Sequence, residues 1–211
     1  EENPMLGWRG AARYYDPKFK EAFVLECRAL VKVRTEMGLD NVIPMIPFCR
    51  TVHEAEQVLG IMAKHGLVAR SQTSKASSGS LTSKTSTTPV YMMCEIPSNV
   101  LLAEEFLDLV DGMSIGSNDL TQLTLGLDRD SGIVTHIANE NDESVRALIS
   151  MIIRKCAARK KYIGICGQGP SDLPDFAEFL VREGIESMSL NPDSVIKTIE
   201  QIGELEEKLG R

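Results

Sequence analysis

Positive charge is not in excess in this sequence: 23 lysines and arginines stand against 30 acids, a net charge of −7. That balance argues against a general nucleic-acid binder, which needs a basic surface. No apolar run approaches the roughly 20 residues required to cross a bilayer. The opening Glu1-Glu2-Asn3-Pro4 lacks the basic and apolar parts of a secretory signal, so the chain reads as cytoplasmic. There is no C-x-x-C pair, and the five cysteines are odd in number: Cys27, Cys49, Cys94, Cys156 and Cys166. A disulfide framework or a thiolate zinc site is therefore disfavoured. The first four read as small buried apolar residues. The three histidines, His53, His65 and His136, form no ligand-spaced cluster and read as surface or helix residues. The single tryptophan, Trp8, reads as core.

What is present is ordinary for a globular domain: 211 residues, 43% hydrophobic and 25% charged, enough for one sizeable core. Short apolar stretches alternate with longer amphipathic ones. Strands are expected at Val42–Pro47, Val90–Cys94, Gly112–Ile115, Tyr162–Cys166 and Ser187–Leu190. Helices are expected at Pro17–Met37, Val52–His65, Asn99–Leu109, Asp142–Arg159, Pro174–Glu183 and Pro192–Leu209. This alternation predicts an α/β fold with a parallel sheet. Val195, Ile196, Ile199, Ile202, Leu205 and Leu209 carry helical spacing, with Glu204, Glu206 and Glu207 on a solvated face. Met92 and Met93 read as strand core. In the stretch Ser71 to Thr88, twelve of eighteen residues are serine or threonine, which predicts a mobile surface loop.

Two of the strands end on a carboxylate. Tyr91–Cys94 runs into Glu95, followed by Ile96-Pro97-Ser98. Gly112–Ile115 runs into Gly116-Ser117-Asn118-Asp119. Small polar residues and an acid at a strand end suit a small anionic ligand or a metal. Two such acids suit a hard cation, because magnesium prefers carboxylate oxygens together with substrate oxygens. A third strand ends on Cys166, with Gly164 before it and Gly167 and Gly169 after it, and glycine allows close backbone approach to a ligand. Arg9, in Gly7-Trp8-Arg9-Gly10, and Arg129, in Leu127-Asp128-Arg129, offer planar forks that match phosphate.

Five blocks, in order and spread over nearly the whole chain, carry a resemblance. They are NPMLGWRGAARY (3–14), IPMIPFCRT (43–51), VYMMCEIPSNV (90–100), GSNDLTQLTLGLDRDS (116–131) and the run from Tyr162 to Val195. Together they resemble the pyruvate/phosphoenolpyruvate domain of the phosphoenolpyruvate-utilising enzyme family. The resemblance implies a (β/α)8 barrel whose first strands lie outside this chain, with residues 1–211 forming one partial barrel domain. It implies that Glu95 and Asp119 hold Mg2+, which chelates pyruvate or phosphoenolpyruvate. It implies that Cys166 moves a proton to or from the methyl carbon, and that Arg9 and Arg129 contact phosphate. Ser117, Asn118 and Gly167 fall at ligand-facing positions.

None of the three histidines sits in a phosphocarrier motif, and no P-loop is present. The resemblance therefore implies partner domains outside this chain, one binding nucleotide and one carrying a phosphohistidine, and commonly a homodimer. Met93 to Asn99 and Cys166-Gly167-Gln168 match the synthase branch better than pyruvate phosphate dikinase or the first enzyme of the sugar phosphotransferase system. Two other classes stay open on the residues: a non-catalytic oligomerisation or binding module, and another barrel enzyme acting on 2-oxo acids.

Overall fold

Alternation of strand and helix runs through the computed structural model, which describes residues 1, 3–73 and 85–210. In chain order the first elements are α1 (Ala11–Tyr15), α2 (Lys20–Thr35), β1 (Met45–Ile46), α3 (Val52–Lys64), β2 (Leu67–Ala69), β3 (Ser86–Thr88) and β4 (Tyr91–Cys94). They are followed by α4 (Pro97–Leu101), α5 (Ala103–Leu107), β5 (Gly112–Gly116), α6 (Ser117–Leu125) and α7 (Glu143–Ala158). The last are β6 (Tyr162–Cys166), α8 (Gly169–Asp172), α9 (Pro174–Glu183), β7 (Ser187–Met188) and α10 (Val195–Leu209). The chain divides into two compact units, Glu1–Met93 with Leu102–Met113, and Cys94–Leu101 with Ser114–Arg211.

In the first unit β1 pairs in parallel with β4, Met45 opposite Tyr91 and Ile46 opposite Met92. Asp111 fixes the entry to β5 reciprocally: its amide donates to the Val90 carbonyl (2.8 Å), and its carboxylate accepts from the Val90 amide (3.0 Å). Thr51 caps α3 by accepting from the Glu54 amide at 3.1 Å, and the Glu54 carboxylate accepts from the Arg50 amide at 2.6 Å. This reciprocal arrangement resembles a capping box and starts the helix. Ala55, Val58, Leu59 and Met62 then fall on one buried face at helical spacing.

Sequence expectation and structure part in three places here. Ser86–Thr88, inside the stretch read as loop, forms β3 and pairs in parallel with β2. Residues 74–84 of that stretch lie outside the described residues. Trp8 is 38% exposed rather than core. Its ring meets Phe19 edge-on at 6.4 Å and lies 4.9 Å from the Arg13 guanidinium, so a ring edge and a cation cover it. Met92 is fully buried, whereas Met93, on the opposite pleat, is half-buried.

The second unit holds the end of β5, then β6 and β7. β6 and β7 are parallel, Gly164 opposite Ser187 and Ile165 opposite Met188. Asp142 caps α7, accepting from the Ser144 amide at 2.8 Å. Val145, Ile149, Ile152, Ile153 and Cys156 form that helix's buried stripe. Pro174 opens α9, and Gly184 closes it with φ +91°, a left-handed position glycine adopts without strain. Phe176, Leu180, Ile149, Ile152 and, on α6, Leu120 are fully buried and belong to the core of this unit. On α10, Leu205 is buried, but Ile196 and Ile199 are 73% and 61% exposed. The helical spacing expected there holds, with Val195 and Ile202 half-buried, while Ile196, Ile199 and Leu209 of the apolar stripe stay exposed.

Candidate functional site

The second unit gathers every expected site residue except Arg9. Glu95 follows β4 directly and is buried, 6% exposed. A fully buried side chain, Asn99, accepts through Oδ1 from the amides of Glu95 (3.2 Å) and Ile96 (3.0 Å). That satisfies two backbone donors where strand gives way to α4, and it sets the path of the chain at Glu95.

β5 is buried along its whole length and passes without a loop into α6. The turn places Ser117, Asn118 and Asp119 in the first turn of that helix, with Asp119 9% exposed. Ser114 Oγ donates toward Cys166 Sγ at 3.7 Å, and Ser117 Oγ donates to the Cys166 carbonyl at 3.1 Å. The cysteine is thus held from both its side chain and its backbone. Burial pushes the Cys166 thiol above its ordinary range; the charge of Glu95 adds to this, and the Ser114 hydrogen bond opposes it. Cys166 is the only half-exposed cysteine; Cys27, Cys49, Cys94 and Cys156 are buried, as expected. Gly167 has φ +125°, and a Cβ there would collide with Ser117 Oγ. Glycine is therefore required for the turn to close over the serine.

Asn118 lies between Arg129 and Glu140. With its amide nitrogen donating to Glu140 Oε1 (2.9 Å), its oxygen accepts from Arg129 Nη1 (3.0 Å), and both ends are satisfied. The buried Gln122 accepts from the Arg129 amide at 3.2 Å, and the Arg129 carbonyl accepts from Thr135 Oγ1 at 2.9 Å, fixing the loop that carries the guanidinium. A cavity of about 510 Å³ opens beside these residues, lined among others by Asn118, Gln122, Arg129, Glu140, Gln168 and Asp172. Glu95, Asp119 and Cys166 do not line it. Burial raises the Glu140 carboxyl above the usual carboxylate range. The Ser117 hydrogen bond lowers it, the neighbouring Asp172 raises it, and Arg129 and the Gly169 amide lower it.

Arg9 belongs to the first unit. Its guanidinium lies 3.9 Å from the Phe48 ring centroid, and Nη1 is 3.4 Å from the Met5 carbonyl. Phe48 has φ +36°, unusual for a bulky side chain, and Arg50 stacks on it at 4.8 Å. Arg50 also donates to the carbonyls of Leu6 and Gly7, a role in holding the segment around Arg9.

Among the described residues, no cluster of three or more His, Cys, Asp or Glu side chains could hold a metal. The donor set on offer is two buried carboxylates, Glu95 and Asp119. Magnesium is commonly held by one or two carboxylates plus water and substrate oxygens, so this donor set fits it by number and chemistry. Sequence reading missed Ser114, Asn99 and Glu140. Asn99 follows the Glu95 turn at helix-cap spacing, a readable signal. Ser114 faces inward two residues before Gly116 on a strand. Glu140 lies in a stretch with no periodicity and acts through contacts distant in sequence.

The comparisons with known proteins point one way. The sequence profile described as PEP-utilising enzyme, PEP-binding domain, matches residues 1–206. The chain is 58% identical to phosphoenolpyruvate synthase of Synechocystis sp. over 210 residues, all of this chain and 24% of that protein. It is 53% identical to phosphoenolpyruvate synthase of Aquifex aeolicus over 210 residues, again all of this chain and 23% of that protein. With phosphoenolpyruvate synthase of Escherichia coli it shares 53% over 205 residues, 97% of this chain and 24% of that protein. The chain thus spans about a quarter of the length of these curated relatives. It belongs to the phosphoenolpyruvate-utilising enzyme family and corresponds to that family's phosphoenolpyruvate-binding domain.

Proposed function

We propose that this chain is the pyruvate/phosphoenolpyruvate half-site of a phosphoenolpyruvate synthase, and that its strands are part of a (β/α)8 barrel. The overall reaction is ATP plus pyruvate plus water giving phosphoenolpyruvate, AMP and phosphate. The observation that carries this reading is the placing of Cys166: between two serines, within the field of the buried Glu95, on the turn next to Ser117 and Asn118.

Each residue then has a task. Glu95 and Asp119 would hold Mg2+. When bound, that ion supplies Lewis-acid stabilisation of the negative charge growing on the substrate oxygen. Ser117, Asn118 and the Gly167 backbone orient the carboxylate end, and Arg129 binds phosphoryl oxygens through its fork, while Arg9 of the first unit keeps the phosphate role that the family resemblance implies. In the synthetic direction the Cys166 thiolate takes a methyl proton from pyruvate. The C–H electron pair becomes the C=C bond, and the enolate oxygen attacks phosphorus of a phosphohistidine on a partner domain. The P–N bond breaks and its electrons return to the imidazole. In the opposite direction the Cys166 thiol gives its proton to the methylene carbon, and the raised thiol pKa favours that protonated form.

The partner domains, one binding nucleotide and one carrying the histidine, belong to the longer protein, which we place in the cytoplasm. Among the described residues no helix is long and apolar enough to cross a membrane. The exposed Ile196 and Ile199 on α10 support a homodimer through that face.

Proton exchange tests the half-site without ATP. Pyruvate in D2O with magnesium should lose its methyl proton signal in the presence of the chain, and Cys166→Ala should abolish the loss. Exchange that is unchanged in Cys166→Ala would refute the assignment.

A further inference from the structure

We propose that Glu140 is a positioning residue: its carboxylate fixes the Asn118 amide in one orientation, and through it the Arg129 guanidinium, while bracing the Gly167–Gly169 turn that follows Cys166. The inference rests on the reading that Ser117, Asn118 and Arg129 hold the substrate's anionic groups.

An ionised carboxylate only accepts hydrogen bonds, a guanidinium only donates, and an amide has one end of each kind. Asn118 lies between the two, and the amide orientation that satisfies both ends sets its nitrogen 2.9 Å from Glu140 Oε1 and its oxygen 3.0 Å from Arg129 Nη1. Turning the amide over would set its oxygen against a carboxylate and its NH2 against a cation. Two charge-assisted hydrogen bonds would become two repulsions. Glu140 thus sets the orientation, and the Asn118 oxygen in turn holds Arg129.

The same carboxylate reaches the cysteine side. The Ser117 hydroxyl and the Gly169 amide lie near enough to lower its carboxyl, against the burial that raises it. A Cβ on Gly169 would lie 2.5 Å from Glu140 Oε2, so a glycine is needed there for the carboxylate to enter. A Cβ on Gly167 would come within 3.4 Å of Glu140 Oε1. One acid, from the loop before α7, therefore touches both segments that the proposed chemistry uses: the start of α6 and the turn after β6. Asp172 lies near enough to raise its carboxyl, so the site holds a second acid.

Glu140→Gln is the test, because glutamine keeps the size but removes the charge that faces the Asn118 NH2 and offers an NH2 of its own. Three readouts are needed: melting temperature, calorimetric binding of oxalate with magnesium, and NMR of the Asn118 side-chain amide protons in the ligand-free chain. Glu140→Gln should leave the melting temperature near that of the parent. It should weaken oxalate binding about tenfold, the scale of one charge-assisted hydrogen bond. It should also remove the exchange protection of the Asn118 amide. In an Asn118→Ala background, Glu140→Gln should change oxalate binding by less than about twofold, since the pair acts as a unit. Parent-like binding in Glu140→Gln would overturn the proposal, as would the same tenfold loss without Asn118. If the parent chain fails to bind oxalate with magnesium, the half-site reading falls, and the amide signals alone decide the positioning. Protection lost in Glu140→Gln supports it, and protection unchanged overturns it.

Discussion

Asn99 accepts two hydrogen bonds through one oxygen, from the backbone amide of Glu95 at 3.2 Å and from that of Ile96 at 3.0 Å, in a fully buried position. The proposed metal-binding acid therefore depends on a side chain that carries no charge and meets no solvent. Asn99→Ala removes the one acceptor shared by the amides of buried Glu95 and half-buried Ile96, a loss of about 1–3 kcal/mol where no water replaces the oxygen. Urea unfolding should show a loss of at least about 1 kcal/mol, and magnesium-dependent oxalate binding should weaken with it.

Cys166 should be the only cysteine of the folded chain open to alkylation. Burial pushes Cys27 up to about 11 and Cys49 up to about 12, and holds Cys94 higher still. The thiolate is the reactive form, and a raised pKa means less of it at pH 8 than an ordinary thiol has. Iodoacetamide labelling followed by mass spectrometry should give a single adduct, slow at pH 8 and faster as pH rises. Glu95→Gln removes a charge that opposes the thiolate and should speed labelling at pH 8. Ser114→Ala removes a hydrogen bond that favours it and should slow labelling.

Gly169→Ala should harm the site although it adds one methyl group. Its Cβ would lie 2.5 Å from Glu140 Oε2 and 2.8 Å from Phe176 Cε1, and Phe176 is fully buried. Overpacking of this kind costs about 1–3 kcal/mol. Thermal unfolding should record the loss, and oxalate binding should fall through displacement of Glu140.

Asp142 should give the second unit an acid-sensitive component. Its hydrogen bonds from the Ser144 hydroxyl and amide hold its carboxyl below the usual range. A carboxyl lowered on folding stabilises the fold above its unfolded pKa, and that contribution is lost as pH falls through the folded value. Between about pH 5 and pH 2, Asp142→Asn should flatten part of the decline in melting temperature. An unchanged pH profile in Asp142→Asn would remove the cap from the account.

How far the sequence could be read follows from the kind of signal each element carries. Tyr162–Cys166 and Pro174–Glu183 are bounded by glycines and a proline that act locally, and both appear at the expected residues. Asn99–Leu109 reads as one helix but divides into α4 and α5, because Leu102 leaves helical geometry at φ −101°, ψ 32°. β2 and β3 have three residues each, too few for a period to show. Glu95, Asp119 and Cys166 could be picked out because each ends a strand or begins the helix after one. Glu140 could not, since nothing within its own stretch marks it. Its role comes from Asn118, Arg129 and Gly169, which the fold alone brings near.

The central claim is an assembled half-site built on Glu95. Calorimetric titration of oxalate, a mimic of pyruvate enolate, into the chain with and without magnesium tests it most directly, on the parent and on Glu95→Ala. The account predicts binding that requires both magnesium and Glu95. Binding that is indifferent to either, or no binding by a chain shown folded by circular dichroism, would contradict it.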